Sequence, residues 1–139
     1  MIYNLKDILK DNKNDSVINY INEQISTFLD RQLNVTELYK LSCTTSFFID
    51  MDEEMNIRGI LIMTHKTFLF EDRISFIEFL SSKDDDHFIE QSLILKCISY
   101  LSSTLNQTRI ISLVSDTRVQ EEALAPFGFM HSHDIMIKL

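Results

Sequence analysis

Glycine and proline are scarce in this sequence, with two and one respectively in 139 residues. That scarcity excludes any function built on a glycine-rich phosphate loop, which needs backbone N–H groups left uncovered by side chains. Cysteine is equally sparse. Cys43 and Cys97 stand in a chain long enough to have its own core, so no disulfide framework is implied and a reduced, cytoplasmic setting is expected. Basic charge is in deficit, with 13 Lys and Arg against 21 Asp and Glu and a net charge of −8. A nucleic-acid binder needs the opposite excess, because phosphate neutralisation supplies most of the non-specific affinity, so no nucleic acid is expected as a partner. Long apolar runs are missing too. The longest, Ile60-Leu61-Ile62-Met63, falls far short of a bilayer, and no basic amphipathic segment offers itself to an anionic membrane surface. The first residues, Met1-Ile2-Tyr3-Asn4-Leu5-Lys6-Asp7, have neither the apolar core nor the small-residue cleavage site of a signal peptide.

What remains is the composition of an ordinary globular protein, 45% apolar and 24% charged, which predicts one domain over residues 1–139. Residues 4–14 are polar, with Asp11-Asn12-Lys13-Asn14-Asp15 as the clearest loop. Val17, Ile18, Ile21, Ile25, Phe28 and Leu29 then recur at three and four, predicting an amphipathic helix from Ser16. A short helix is predicted from Asn34, whose side chain can cap while Glu37 reaches back. From Cys43 the period changes. Thr44–Ile49 and Ile57–Phe70 read as two antiparallel strands around the acidic turn Asp50–Asn56, and Arg73–Ser81 as a third. The run Ser82-Lys83-Asp84-Asp85-Asp86 opens a long helix over His87–Leu105, capped by Asp85 or Asp86. Ile110–Val114 reads as a short central strand, Thr117–Ala125 as a helix stopped at Pro126, and Ser132–Leu139 as a closing strand. The expected order is α-α-β-β-β-α-β-α-β, with a further short strand near Ile2: an α/β domain with a mixed sheet and helices on both faces. Phe47, Ile49, Ile60, Ile62, Phe76, Leu80, Ile111 and Leu113 are expected among its buried residues.

This element order resembles the GNAT (general N-acetyltransferase) superfamily of acyl-CoA-dependent N-acetyltransferases over nearly the whole length. One local pattern adds to it: Leu113-Val114-Ser115-Asp116-Thr117 followed by Ala125-Pro126-Phe127-Gly128-Phe129, similar to the Leu-Gly-Phe ending of the family's fourth helix. Gly59 also sits where the family's third strand often carries glycine. The resemblance implies acetyl-CoA as cofactor and an amine as acceptor. The family's diphosphate loop, Gln/Arg-x-x-Gly-x-Gly/Ala, laid without a gap after the third strand, falls on Asp85 through Glu90. Asp85 then takes the Gln/Arg position, Phe88 that of the first glycine and Glu90 that of the second. None matches in residue type. Leu80, Ser82 and Thr117 complete the positions the resemblance assigns to the cofactor. The thiolate acid, usually a tyrosine three residues before Leu-Gly-Phe, is replaced by Leu124, which has no proton to give.

A helix N-terminus attracts anions through its free N–H groups and its dipole. Here Asp84, Asp85, Asp86 and Glu90 put carboxylates at that terminus, so the site supplies its own anions. Acetyl-CoA is therefore disfavoured as a ligand. Glu78, the only carboxylate in an apolar strand, is the candidate general base, or else a carboxylate reaching solvent at the open end of the sheet. Asp50-Met51-Asp52-Glu53-Glu54 resembles half of a calcium loop but lacks the central glycine and the distal Glu, which favours a solvated hairpin turn. His131 and His133 would share one face of a strand with no third ligand nearby, so no metal is expected. Serine or cysteine near histidine has no elbow motif around it, and Cys97 is expected in the core. Two functions are in contention: a binding or regulatory module that keeps the fold, and an active, diverged N-acetyltransferase. The partner is an unidentified protein or amine, and a homodimer is left open.

Overall fold

Five strands form one sheet in the order β1-β2-β3-β4-β5: β1 Ile2–Asn4, β2 Thr45–Met51, β3 Ile57–Thr67, β4 Arg73–Ser82 and β5 Ile110–Ser112. The computed structural model describes residues 1–10, 15–26, 30–67, 73–103, 110–112 and 121–130. The first four strands pair antiparallel and β5 joins β4 in parallel, so the sheet is mixed. A parallel neighbour requires a crossover, and the helix α4, His87–Ser103, lies between β4 and β5 in the chain.

Both faces of the sheet are covered, which explains why its strands read as near-continuous apolar runs. Phe47, Ile49, Ile60, Ile62 and Phe79 face α1 Leu5–Ile8, α2 Asp15–Ile25 and α3 Val35–Ser42. Phe48, Leu61, Met63, Ile77 and Leu80 face α4 and α5, Glu121–Leu124. Of the expected core, Phe47, Ile49, Ile60, Ile62 and Leu80 are buried, while Phe76 and Ile111 are half-buried. Leu113, the remainder of the Ile110–Val114 segment, Phe28, Leu29, Leu105 and the Ser132–Leu139 segment lie outside the described residues.

The Asn34 cap is present in full: the Glu37 N–H donates to Asn34 Oδ1 at 2.9 Å, and the Asn34 N–H to Glu37 Oε1 at 3.4 Å. Asn22 of α2 fixes the approach to that helix. Its side-chain amide donates to the Leu33 carbonyl at 2.9 Å and accepts from the Leu33 N–H at 2.7 Å, satisfying a buried backbone pair. The polar stretch expected as loop from residue 4 instead starts with α1. Asn4 caps it by accepting the Lys6 N–H at 3.0 Å, and Leu5 is fully buried. One turn is too short to show a period, so burial of Leu5 accounts for it.

The acidic segment Asp50–Asn56 divides in two. Asp52 holds a solvated turn by accepting the N–H groups of Glu54 and Asn56, each at 2.9 Å. Asp50 does not belong to that turn. It is a buried β2 residue, 4% exposed, with Arg58 Nη2 at 3.0 Å from its Oδ2. Among the described residues, no cluster of three or more His, Cys, Asp or Glu is placed to hold a metal, and no helix is long and apolar enough to cross a membrane.

Gly59 lets α4 lie close on β3. A Cβ there would sit 2.9 Å from Ile89 Cγ2, 3.0 Å from the Ser81 carbonyl oxygen and 3.2 Å from Leu93 Cδ1. α5 passes into a 3₁₀ turn, Ala125–Phe127, that takes in Pro126 and ends on Gly128 at φ 77°, the left-handed conformation glycine adopts at no steric cost.

Candidate functional site

The parallel pairing of β4 with β5 spans Ser75, Phe76 and Ile77, and β4 runs on past it to Ser82. The change coincides with a bulge. Ile62 pairs with Phe79 and Met63 with Ile77, leaving Glu78 as the extra residue of β4. A bulge bends its strand and re-aims a side chain. Glu78 is thereby exposed, its Oε1 accepting the Thr64 hydroxyl at 2.9 Å. It is a solvent-facing carboxylate on a strand otherwise rich in buried side chains, sterically able to take a proton from an incoming group.

At the far end of β4 the chain turns through Lys83–Asp85 into α4. Asp84 and Asp85 both take positive φ, 58° and 48°, a conformation that Asp tolerates better than most residues. Asp86 is the cap. Its Oδ1 accepts the N–H groups of Phe88 at 3.0 Å and Ile89 at 3.4 Å, and its carbonyl accepts that of Glu90 at 3.2 Å. Three donors at this helix end are thus already engaged, two of them by a carboxylate.

Glu90 adds a second internal anion. It is 3% exposed, with Ser82 Oγ donating to its Oε1 at 3.1 Å and His87 Nδ1 to its Oε2 at 2.9 Å. The bond to Glu90 raises the His87 pKa above its ordinary value, against a smaller opposing effect of desolvation; the charges of Glu90, Glu122 and Asp85 add to the rise. The carboxylate stands between the serine and the histidine. His87 is therefore not in contact with the hydroxyl, and Ser82 is buried, out of reach of a substrate.

Of the positions assigned by resemblance, Ser82, Asp85, Phe88 and Glu90 lie at one end of the sheet, with chemistry unlike a diphosphate cradle. Asp85 is exposed at the turn, Phe88 is 77% exposed on the first turn of α4, and Glu90 and Ser82 are buried together. Leu80 points under α4 into the core, and Leu124 packs in the same cluster. Thr117, His131 and His133 lie outside the described residues. At the described loop a diphosphate would meet a helix end already occupied by the chain's own carboxylates. The N–H groups of Phe88 and Ile89 are taken by Asp86, and a buried carboxylate stands beside them.

Two groupings escape a sequence reading because their members come from different strands. His65 of β3 bridges Ser46 of β2 (Nε2 to Oγ, 2.8 Å) and Ser75 of β4 (Nδ1 to Oγ, 2.7 Å). Burial lowers the His65 pKa, and both serines are buried, so this is a cross-strand tie without an exposed nucleophile. The other is Asp50 with Arg58. Cys97 is a core residue as expected, its thiol pushed up to about 12 by burial and so inert as a nucleophile.

No family model matches the sequence, and no curated protein sequence matches it. Solved structures do match. A predicted acetyltransferase with acetyl-CoA from Clostridium acetobutylicum superposes with a TM-score of 0.69 at 12% identity, covering 100% of this chain and 95% of that one. An aminoglycoside acetyltransferase from an uncultured soil metagenomic sample, in complex with sisomicin, gives 0.70 at 15% identity over 100% and 95%. A ribosomal-protein-alanine N-acetyltransferase from Brucella melitensis gives 0.63 at 11% over 100% and 99%. With a mixed five-stranded sheet, helices on both faces and these full-length superpositions, the chain has the fold of the GNAT acetyltransferases.

Proposed function

We propose that this chain is a GNAT-fold binding or regulatory module in which acetyl-CoA binding and acetyl transfer are weakened or lost, acting in the cytoplasm on an unidentified protein or amine partner. The observation that carries the reading is the helix end at Asp86–Glu90. A ligand diphosphate would have to displace the Asp86 carboxylate from the N–H groups of Phe88 and Ile89 and settle beside the buried Glu90. Each like-charge pair at about 4 Å costs on the order of 1–4 kcal/mol. Leu124, at the position of the family's thiolate acid, removes a general acid whose absence typically costs about 10²–10⁴ in rate. Fold alone does not establish function, so these departures weigh more than the superposition.

The test is thermal unfolding with and without acetyl-CoA, alongside calorimetric titration. The expected result is an unchanged melting curve and no binding heat. A ligand at about 100 times its dissociation constant would stabilise the fold by roughly 2.7 kcal/mol, and a shift of that size together with turnover on an amine would overturn the reading.

A second reading, an active but diverged N-acetyltransferase, draws support from Glu78. The bulge presents this carboxylate to solvent at the point where β4 leaves the pairing with β5, a suitable place for a base that deprotonates an acceptor amine. On this reading cofactor binding relies on the β4 main chain rather than on the α4 terminus. Glu78→Gln abolishing measured turnover would support it; a wild-type protein without turnover would not.

A further inference from the structure

The helix α4 lacks the charged outer face of an ordinary surface helix. Its buried side chains Leu93, Ile94, Cys97 and Leu101 pack toward the sheet. The opposite stripe runs Phe88, Ser92, Leu95, Ser99 and Ser102, with spacings that alternate four and three, as in the seam of a two-helix contact. Phe88 is 77% exposed on it and Leu95 59%. The serines do not make the stripe polar. Ser92 Oγ donates to the Phe88 carbonyl and Ser102 Oγ to that of Ile98, each at 3.0 Å. Both hydroxyls are thus satisfied within the helix and can be covered without losing a partner. Lys96, beside the stripe, is the only exposed Asp, Glu, Lys or Arg of α4, since Glu90 is buried. A helix with no charged face is ordinarily covered on both sides.

We propose that this stripe pairs with the same stripe of a second copy of the chain, the two α4 helices antiparallel about a twofold axis level with Gln91 and Ser92. A twofold contact is self-complementary, so each residue and its counterpart meet twice. Phe88 level with Leu95 of the second copy makes two apolar pairs at once, whereas Phe88 on Phe88 or Leu95 on Leu95 makes one. The same register places Lys96 one residue, about 1.5 Å along the axis, from the level of Asp86 in the second copy, with Asp85 next to it. Both aspartates are exposed. The cationic side is reinforced by Arg58 and the Met1 ammonium, which border one cavity with Lys96 and share the Asp50 carboxylate between them. Charge complementarity therefore falls in the register that the apolar pairs select, and one helix supplies both halves. The stripe itself carries no carboxylate, which matters for two chains of net charge −8. A single helix pair is a small contact, so the dimer belongs to the weak, transient class. It does not depend on whether acetyl-CoA binds.

Sedimentation equilibrium of the full chain, from about 10 μM to about 1 mM, is expected to show a reversible monomer–dimer equilibrium. Leu95→Glu, at an exposed position, sets a carboxylate against Phe88 and is expected to give a monomer throughout, with circular dichroism confirming its fold. Lys96→Glu brings like charges together twice per dimer and is expected to weaken association about tenfold. The register is read by disulfide formation in a Cys43→Ser background, where the remaining Cys97 is buried. Ser92→Cys, beside the axis, is expected to give a covalent dimer on oxidation. Ser102→Cys, about 30 Å from its counterpart at the rise of an α-helix, is not. A wild-type chain still monomeric at about 1 mM would leave the face to a different protein and overturn the proposal. So would association of Leu95→Glu or Lys96→Glu as tight as wild type, or Ser102→Cys cross-linking as readily as Ser92→Cys.

Discussion

Ser82 Oγ donates to Glu90 Oε1 at 3.1 Å, joining the last residue of β4 to the first turn of α4 through a buried hydroxyl and a buried carboxylate. The same carboxylate holds His87, so a charge at the helix start is satisfied from within the chain. Glu90→Gln keeps the size of the side chain and an acceptor for Ser82 but removes the charge. The His87 pKa is then expected to fall back toward its ordinary value of 6.5, because the bond to Glu90 is the main cause of its rise. An NMR titration of the His87 ring checks this; an unchanged titration midpoint would show that Glu90 does not hold the proton there.

Asp86 and Asp85 are neighbours with different work. Asp86→Ala removes the acceptor for Phe88 and Ile89 and should cost about 0.5–2 kcal/mol in chemical denaturation. Asp85→Asn, which keeps a residue tolerant of its φ of 48°, touches no such bond and should cost less. Equal losses for the two would count against Asp86 as the cap.

Gly59→Ala places a methyl group 3.0 Å from the Ser81 carbonyl oxygen and 2.9 Å from Ile89 Cγ2. The carbonyl belongs to a paired strand and cannot move away cheaply, so α4 must lift from β3. Overpacking of this kind costs typically about 1–3 kcal/mol. Equilibrium unfolding measures it, and a neutral substitution would show that α4 does not rest on this position.

Two histidines make stability depend on pH in opposite directions. His65 is held neutral by burial with its pKa lowered, so the unfolded chain binds the proton more readily. Its contribution is present above the unfolded value near 6.5 and is lost as pH falls from there toward the lowered folded value. His87 has a raised pKa, so its contribution is fully present below about 6.5 and is lost as pH rises through the folded value. Melting temperatures from pH 5 to 8 should lose their acid-side decline in His65→Gln and their alkaline-side decline in His87→Asn. A wild-type profile retained in both variants would contradict the assignment.

Much of the architecture was legible because it rests on near neighbours. The Asn34–Glu37 capping box spans three residues, α2 shows its period within one segment, and the acidic run before His87 marks a helix start. The same logic fails at α1, where a single turn is formed because Leu5 reaches the core, and at Asp50, whose acidic neighbourhood in the chain suggested a solvated turn while its β2 position buried it against Arg58. The candidate site was legible only as positions. Resemblance placed Ser82, Asp85, Phe88 and Glu90 at one helix end, but neither the burial of Glu90 nor its two hydrogen bonds can be read from spacing.

The sequence by itself determined the layering: alternating and continuous apolar runs require strands covered on both faces, and the amphipathic period supplies the helices that cover them. Tertiary structure alone decided which polar groups meet. The Glu78 bulge depends on the register between β3 and β4, the Ser46–His65–Ser75 tie crosses three strands, and the Arg58–Asp50 pair spans a hairpin. A hydrogen bond acts over about 3 Å, whereas the chain separations it closes are set by the whole fold. The chemistry of the site is therefore a product of register and packing.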